Sequence, residues 1–230
     1  MPDVLDVPEE ETPVGTDDPE TEVSTEAPGV TPVSPPARKR PKPGERRVQI
    51  LQTLAGMLEQ PGADRITTAA LAARLAVSEA ALYRHFASKA QMFEGLIEFI
   101  ESSVFTLVNQ ITERENSGAV QAQKMVAVLL HFGEKNPGMT RVMVGDALVF
   151  EHERLSLRMN QFFDRLESQL RASLRAAAEA AGSPTPSVDA QALASALTSL
   201  AIGRLQRYAR SGFKRLPTEH LEPALQRLTT

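Results

Sequence analysis

The sequence lacks cysteine and tryptophan altogether and has only two tyrosines among its 230 residues. Without cysteine, neither a disulfide framework nor a thiolate metal site can form, and no thiol chemistry is available. The scarcity of tyrosine and tryptophan leaves few polar aromatic side chains to line a ligand pocket, although nine phenylalanines could line an apolar one.

Long apolar runs are also absent. No stretch approaches the ~20 apolar residues of a membrane span, and the amino terminus lacks the basic start and apolar core of a signal peptide. We therefore expect a soluble, cytoplasmic protein. Its hydrophobic content of 42% is enough to build a core.

Residue patterns that carry catalysis or bind metals are missing as well. The four histidines are scattered, and none has carboxylate partners at the spacing of metal ligands. No activated nucleophile and no phosphate-binding glycine loop is recognisable. We predict no metal site, no cofactor and no catalytic residue, which argues against an enzyme.

The net charge of −4 is distributed unevenly along the chain. Residues 1–37 contain ten acids and no base, residues 38–89 contain ten lysines and arginines against four acids, and residues 90–230 are neutral overall. A positive surplus confined to one short segment is typical of a region that binds nucleic acid.

The first 44 residues are rich in Pro, Glu, Thr and Asp and have few large apolar side chains. Such a segment cannot bury enough apolar surface to offset its chain entropy, so we predict a disordered tail over residues 1–44. The tail ends in a basic, proline-broken patch that either contacts phosphates or acts as a solubilising linker. The charged residues of this patch are Arg38, Lys39, Arg40 and Lys42.

Three short helices joined by tight turns are predicted in residues 45–90. Apolar residues three or four apart indicate a first helix that stops at the Gln-Pro-Gly of residues 60–62. A hydroxyl cap at Thr67-Thr68 opens the second helix, Ser78 caps a third that runs from Glu79 to Phe86, and Ser88 is expected to cap the next one. This is a helix-turn-helix, whose last helix is narrow enough for the major groove of DNA. Its inner face is expected to contain Leu71, Leu75, Val77, Leu82 and Phe86.

Beyond Lys89 the sequence shows no strand-like alternation, only long helical patterns separated by Gly, Pro, Ser and Asn. The predicted fold class is all-α, with the helix-turn-helix domain in residues 45–90 and a helical domain for dimerisation and partner binding in residues 91–230. The expected helices span residues 89–115, 118–135, 139–150, 151–181 and 187–212, and a short helix follows Pro217.

Residues 65–89 resemble the DNA-binding domain of the TetR family, most specifically in the ending Leu-Tyr-Arg-His-Phe-Ala-Ser-Lys. Capping residues place helix starts near phosphates, small outward residues let the backbone approach the duplex, and Arg84 has the planar fork that guanine prefers. Lys89, and Arg46 and Arg47 just before the first helix, either bind phosphate or are merely solvated charges. The expected DNA contacts are Arg46, Arg47, Thr67, Thr68, Ala69, Ser78, Ala80, Ala81, Tyr83, Arg84 and Lys89.

Two further stretches, Leu96–Glu101 and Phe132–Gly138, resemble one branch of that family. This resemblance implies a dimer on a palindromic chromosomal site that, when bound to DNA, antagonises the division protein FtsZ, so that septa do not form over the nucleoid. It also implies FtsZ contacts at Phe99, Lys135 and Asn136. The alternative is that Phe99 is a core residue and Asn136 a turn residue.

Dimerisation is expected because one short recognition helix reads too few base pairs, and a two-fold dimer doubles the contacts on a palindrome. Residues 193–213 are rich in small side chains that allow close helix approach, and residues 155–175 form an amphipathic helix. These two segments are the candidate dimer interface.

Two functions would share this DNA-binding domain, the division inhibitor and a repressor that responds to a small ligand. A repressor of that kind should have an enclosed pocket with a few polar groups and should release DNA on ligand binding. A division inhibitor needs neither. The scarcity of polar aromatic residues favours the division inhibitor, located on the nucleoid.

Overall fold

The structure, a computed structural model, describes residues 44–60 and 65–229, and within these ranges it contains helices and turns but no strand. The all-α prediction is confirmed. Residues 1–43 of the predicted tail, which include its basic patch, lie outside the described residues, as do residues 61–64 at the first predicted break. The helices are α1 (Glu45–Leu58), α2 (Thr68–Arg74), α3 (Glu79–Tyr83), α4 (Lys89–Arg114), α5 (Gly118–Lys135), α6 (Pro137–Met143), α7 (Glu153–Ala180), α8 (Pro186–Arg210) and α9 (Leu221–Leu228).

Most helix boundaries lie close to the predicted ones, but the single helix expected over residues 139–150 is wrong. Helix α6 begins earlier, at Pro137, and ends at Met143, and a separate 3₁₀ turn follows at Asp146–Leu148. Gly145 lies between them with φ of 85°, a left-handed conformation that ends an α-helix and that glycine adopts at little cost. Helix α3 is also shorter than predicted, since it ends at Tyr83 rather than Phe86.

The first three helices pack together through apolar side chains that belong to the one hydrophobic core of the described structure. Helix α1 buries Ile50, Leu54 and Leu58 at helical spacing, and these pack in the same apolar cluster as Leu71 of α2 and Leu82 of α3. Because Ile50, Leu54 and Leu58 are four residues apart, they lie on one face of α1 and make this helix amphipathic. The exposed positions of the three helices are occupied mainly by polar, charged and small residues.

Helix α4 connects the helix-turn-helix with the carboxyl-terminal helices. Its 26 residues extend over about 39 Å at 1.5 Å per residue, and it contacts α1 as well as α5, α6 and α7. Buried side chains follow one another along almost its whole length: Met92, Phe93, Leu96, Ile97, Ile100, Val104, Phe105 and Val108.

The carboxyl-terminal helices form a bundle in which α5 contacts α4, α7 and α8. Helices α7 and α8 pack against each other and are joined by a short turn that contains Gly182, with φ of 73°. Helix α5 approaches α7 very closely, because a Cβ at Gly118 would lie 2.0 Å from the carbonyl oxygen of Ser173. None of the helices in the described ranges combines the length and apolar content needed to cross a membrane.

Helix α6 fixes the position of α1 on the bundle. A Cβ at Gly138 would lie only 2.2 Å from the carbonyl oxygen of Ala55, so the two backbones are in direct contact. Beside this contact, Arg141 donates from Nη1 to the carbonyl oxygens of Leu58 and Gln60, at 3.4 and 3.5 Å. These bonds satisfy carbonyl groups at the end of α1 that have no partner within the helix.

The close approach of α6 and α1 predicts that Gly138→Ala is destabilising. The added methyl must displace backbone rather than a mobile side chain, so we expect a loss of about 1–3 kcal/mol in the free energy of unfolding. The control is Gly56→Ala in α1, where a Cβ meets nothing within 4 Å. That variant should gain about 0.5–1 kcal/mol from helix propensity.

Urea denaturation of both variants at one fixed protein concentration measures the difference. A Gly138→Ala protein as stable as the Gly56→Ala protein would show that α1 and α6 are not held in this contact.

Candidate nucleic-acid interface

The turn between α2 and α3 is tight and has an unusual backbone. Ala76 has φ of 54°, and the N–H of Val77 donates to the carbonyl oxygen of Ala72 at 3.0 Å, which closes the end of α2. A left-handed residue after a helix is most often glycine, so alanine here adopts a conformation it disfavours. The sequence located this break but gave no sign of its geometry.

The predicted inner face of the helix-turn-helix is confirmed. Leu71, Leu82 and Phe86 are buried, and Leu75 and Val77 are partly buried against the same core. Because these side chains point inward, the opposite face of α3 is turned to solvent. Ala80, Tyr83 and Arg84 are exposed there, Tyr83 to 46%, and Ala81 is half-buried beside them.

Hydroxyl side chains cap the starts of α2, α3 and α4. Thr67 Oγ1 accepts a hydrogen bond from the N–H of Ala70 at 3.1 Å, and Ser78 Oγ accepts one from Ala81 at 3.3 Å. Ser88 caps α4 in the same way. The capping roles predicted for Thr67, Ser78 and Ser88 are therefore confirmed, and each cap satisfies an N–H that has no partner within its helix.

Thr68 has a different role from Thr67. Its hydroxyl donates to the carboxylate of Glu79, so it joins the first residue of α2 to the first residue of α3. Ala69, the next residue in α2, is exposed. The sequence presented Thr67 and Thr68 as equivalent, and the structure distinguishes a cap from a link between helices.

Arg46 and Arg47 do not precede the first helix as expected, because α1 begins at Glu45, and both lie in its first turn. Arg46 donates to the side-chain oxygen of Gln49 at 2.7 Å. Arg47 donates to the carbonyl oxygen of His85 at 3.0 Å, and its guanidinium lies 4.2 Å from the centre of the Phe86 ring. Arg47 therefore ties the start of α1 to the residues after α3.

Lys89, the first residue of α4, is paired within the chain. Its ammonium group forms an ion pair with the carboxylate of Glu151, in the segment before α7, and lies 5.6 Å from the Phe93 ring. The Lys89 side chain is 24% exposed and that of Glu151 only 8%. A lysine expected to contact phosphate is thus held by an acid of the carboxyl-terminal part of the chain.

Two more ion pairs continue this connection along α4. Glu94 pairs with Arg154 at 2.8 Å, and Glu101 accepts two hydrogen bonds from Arg158, at 2.6 and 3.0 Å. The hydrogen bonds to Glu101 raise the pKa of Arg158 above its already high usual value. We call these three pairs, Lys89–Glu151, Glu94–Arg154 and Glu101–Arg158, the α4–α7 seam. Sequence reasoning missed it, because its partners are separated by about 60 residues and leave no local pattern.

The candidate partner residues are close together on another surface. Phe99 of α4 is 50% exposed, and its ring centre lies 6.0 Å from that of Phe132 in α5, so the core alternative for Phe99 is wrong. Asn136 links α5 to α6 and donates from Nδ2 to the carbonyl oxygen of Phe132 at 2.8 Å, as expected of a turn residue. Lys135, in the last turn of α5, is exposed.

Two shallow apolar clefts flank these residues. One, of about 410 Å³, lies between α1 and α4 and is lined by Leu51, Phe99 and Asn136 among others. The other, of about 420 Å³, lies between α4 and α5 and is lined by Ile111, Lys135 and Asn136 among others. We refer to Phe99, Phe132, Lys135, Asn136 and the two clefts as the Phe99 surface.

A larger concavity, of about 720 Å³, lies between the ends of α5, α7, α8 and α9. It is open to solvent and lined largely by small residues, including seven alanines and three serine or glycine residues. This is not the enclosed chamber with a few converging polar groups that a ligand-responsive repressor requires. Among the described residues, no group of three or more histidine or acidic side chains converges as a metal site would.

Comparison with known proteins agrees with this architecture. Residues 50–96 match the family described as bacterial regulatory proteins, tetR family, and residues 117–230 match a family of SlmA-like, tetracyclin repressor-like carboxyl-terminal domains. The fold resembles the TetR-family regulator PfmR from Thermus thermophilus, with a TM-score of 0.63 at 19% identity over 80% of this chain and 95% of that one. It equally resembles FadR from Bacillus subtilis, solved in complex with stearoyl-CoA, with a TM-score of 0.63 at 12% identity over 80% and 97% of the two chains.

Relatives with much higher sequence identity are nucleoid occlusion factors. The SlmA of Idiomarina loihiensis is 51% identical over 79% of this chain and 92% of its own length. The SlmA of Photobacterium profundum is 50% identical over 82% and 96%, and that of Vibrio cholerae is 51% identical over 77% and 90%. The chain therefore belongs to the TetR family of bacterial regulatory proteins, in the branch formed by the nucleoid occlusion factors SlmA.

Proposed function

We propose that this protein is a nucleoid occlusion factor: a homodimer that binds a palindromic chromosomal site and, in that state, antagonises FtsZ assembly and blocks septum formation over the nucleoid. The observation that carries the proposal is the identity of about 50% to SlmA proteins over more than nine-tenths of their length. Such a protein works in the cytoplasm, on the nucleoid.

DNA recognition is assigned to the exposed face of α3. Ala80 and Ala81 are small enough for the backbone to approach a duplex, and Tyr83 and Arg84 project from the same face. Arg84 makes no hydrogen bond or ion pair with any other residue that the structure describes, so its fork is available for guanine or phosphate. Phosphate contacts on either side are assigned to Arg46, Arg47, Thr67, Thr68, Ala69 and Ser78.

Lys89 reaches phosphate by exchanging partners. Its ion pair with Glu151 is only partly buried, so a DNA phosphate can replace the carboxylate as the group that faces the ammonium ion. This exchange would release Glu151, just before α7. Binding of DNA to the helix-turn-helix would thereby break the Lys89–Glu151 pair, the first of the α4–α7 seam.

Dimerisation is assigned to the outer faces of α7 and α8. Along α8, Ala192, Ala196 and Ser199 are exposed on one side of the helix, and a Cβ at Gly203 would meet nothing within 4 Å. Small side chains of this kind let two helices approach closely. A second copy related by a two-fold axis would bring two α3 helices to the two halves of a palindrome.

FtsZ binding is assigned to the Phe99 surface. A half-exposed phenylalanine between two apolar clefts, with a lysine at the edge, can receive an apolar segment that also carries negative charge. Phe99 and Asn136 border the cleft that includes α1, so this surface includes part of the DNA-binding domain itself.

The DNA assignment is tested with Arg84→Ala. Loss of one arginine that contacts a base or phosphate should weaken binding to the selected palindrome by about 5–150-fold, corresponding to 1–3 kcal/mol. The control is Arg114→Ala, which removes an exposed arginine in the last turn of α4 and should leave the affinity unchanged. Affinity is measured by fluorescence anisotropy at fixed salt. Equal affinities of the two variants would show that α3 does not recognise the DNA.

The partner assignment is tested by sedimenting FtsZ polymer with the protein and no DNA, random duplex, or duplex that carries the selected palindrome. Pelleted FtsZ should fall with the palindrome only, and Phe99→Ala should raise the protein concentration required by at least about tenfold, as loss of an aromatic anchor does. The control is Leu228→Ala, at an exposed apolar residue of α9. Undisturbed polymer despite tight palindrome binding would point instead to a ligand-responsive repressor.

The partner exchange of Lys89 is tested with Glu151→Gln. Removal of the carboxylate that competes with phosphate should raise affinity for the palindrome by about three- to tenfold, since a partly buried pair contributes on the order of 1 kcal/mol. Glu153→Gln is the matched control, because it removes the same charge two residues away at an exposed position. If both variants change affinity equally, only the overall charge matters and Lys89 keeps its pair in the complex.

A further inference from the structure

A second strongly basic site lies far along the chain from the helix-turn-helix. The end of α8 and the connection to α9 enclose a concavity of about 580 Å³. Four cationic side chains line it, Arg204, Arg207, Lys214 and Arg215, together with His220 and a single acid, Glu219. We call this the α8 basic cavity.

The positive charge of this cavity is compensated only in part within the described part of the chain, since Glu219 is the single acid that lines it. Arg204 donates to the carbonyl oxygens of Pro217 and Glu219, at 2.9 and 2.7 Å, so it is bonded to neutral groups. The side chains of Arg207, Lys214 and Arg215 form no hydrogen bond or ion pair with another described residue. Cations gathered in one concavity repel one another unless an anion is bound among them.

The connection that carries Lys214 and Arg215 is firmly held. Ser211 Oγ accepts hydrogen bonds from the N–H groups of both residues, at 3.1 and 2.9 Å. Thr218 donates to the carboxylate of Glu134 in α5. The cations are therefore displayed on a fixed backbone, and little freedom would be lost when a ligand binds.

Backbone strain is concentrated in the same segment. Phe213 and His220 have φ of 63° and 52°, and they are two of only three non-glycine residues with positive φ in the described ranges. Phe213 is held there by its ring, which packs edge-on against buried Tyr208 at 5.2 Å. Such conformations persist only where the surroundings impose them, and they cluster at ligand sites.

We propose that the α8 basic cavity binds a small anion that carries two or more adjacent phosphate groups, as inorganic pyrophosphate and nucleoside polyphosphates do. Several cations around one concavity favour a ligand with more than one negative charge, and the planar forks of arginine suit phosphate oxygens. The volume lies within the range of small-molecule sites. This site is separate from the DNA-reading face, since none of its lining residues belongs to α1, α2 or α3.

The proposal is tested by isothermal titration of the full-length protein with sodium pyrophosphate, and separately with ATP in the presence of EDTA, at fixed ionic strength. We expect one site per chain. Arg207→Ala and Lys214→Gln, both at exposed side chains, should each weaken binding by about tenfold or more, as expected for loss of a charge-assisted hydrogen bond. Circular dichroism and sedimentation check that both variants are folded and keep the oligomeric state of the unaltered protein.

Arg84→Ala serves as the control, because it removes one positive charge from the DNA-reading face and should leave pyrophosphate binding unchanged. Absence of binding in the unaltered protein, or binding that Arg84→Ala weakens and the cavity variants do not, would overturn the proposal. A loss of affinity for duplex DNA in Arg207→Ala and Lys214→Gln, without any pyrophosphate binding, would assign the cavity to the DNA backbone instead.

Discussion

Burial of one long stripe of apolar side chains on α4 is the interaction on which the rest of the described structure depends. Near its start, Gly95 lies directly against Leu51 of α1, and further along Phe105 packs on Phe162 of α7 at 5.3 Å. The same helix therefore packs against both the helix-turn-helix and the bundle, within one apolar cluster. Since each fully buried large apolar side chain contributes about 1.5–3 kcal/mol, separation of α4 from either part would be costly. The helix-turn-helix and the bundle must keep a defined orientation along this helix.

Polar interactions refine that orientation rather than create it. The pairs of the α4–α7 seam are partly exposed, and pairs of this kind contribute about 0–1 kcal/mol each. Their importance is geometric, because they hold α7 and the segment before it against α4 at three points from Lys89 to Glu101. The contact of Gly138 in α6 with α1 adds a second constraint on the orientation of the helix-turn-helix. The proposed exchange of Lys89 between Glu151 and phosphate acts on the first of these points.

The sequence was most informative where interactions are local. Helical spacing predicted nearly all helices, and hydroxyl residues at the helix starts predicted the caps of α2, α3 and α4, because a cap and the N–H it binds are only three residues apart. The prediction of one helix over residues 139–150 was wrong, because the backbone conformation of a single glycine ends that helix early. Gly145 interrupts an apolar pattern that would otherwise continue as a helix, and nothing in the spacing around it indicates a left-handed φ.

By itself the sequence determined the helical class, the inner face of the helix-turn-helix and the short segment that carries the excess positive charge. These properties follow from the order of residues over a few turns of helix. Tertiary structure alone decided which charged side chains are paired within the chain and which are free to bind a ligand. It paired Lys89 with Glu151, placed Arg47 on His85 and Phe86, left Arg84 exposed, and gathered the cations of the α8 basic cavity around one concavity. The partners of a charged side chain are set by packing between helices that are distant in the sequence, which no local pattern records.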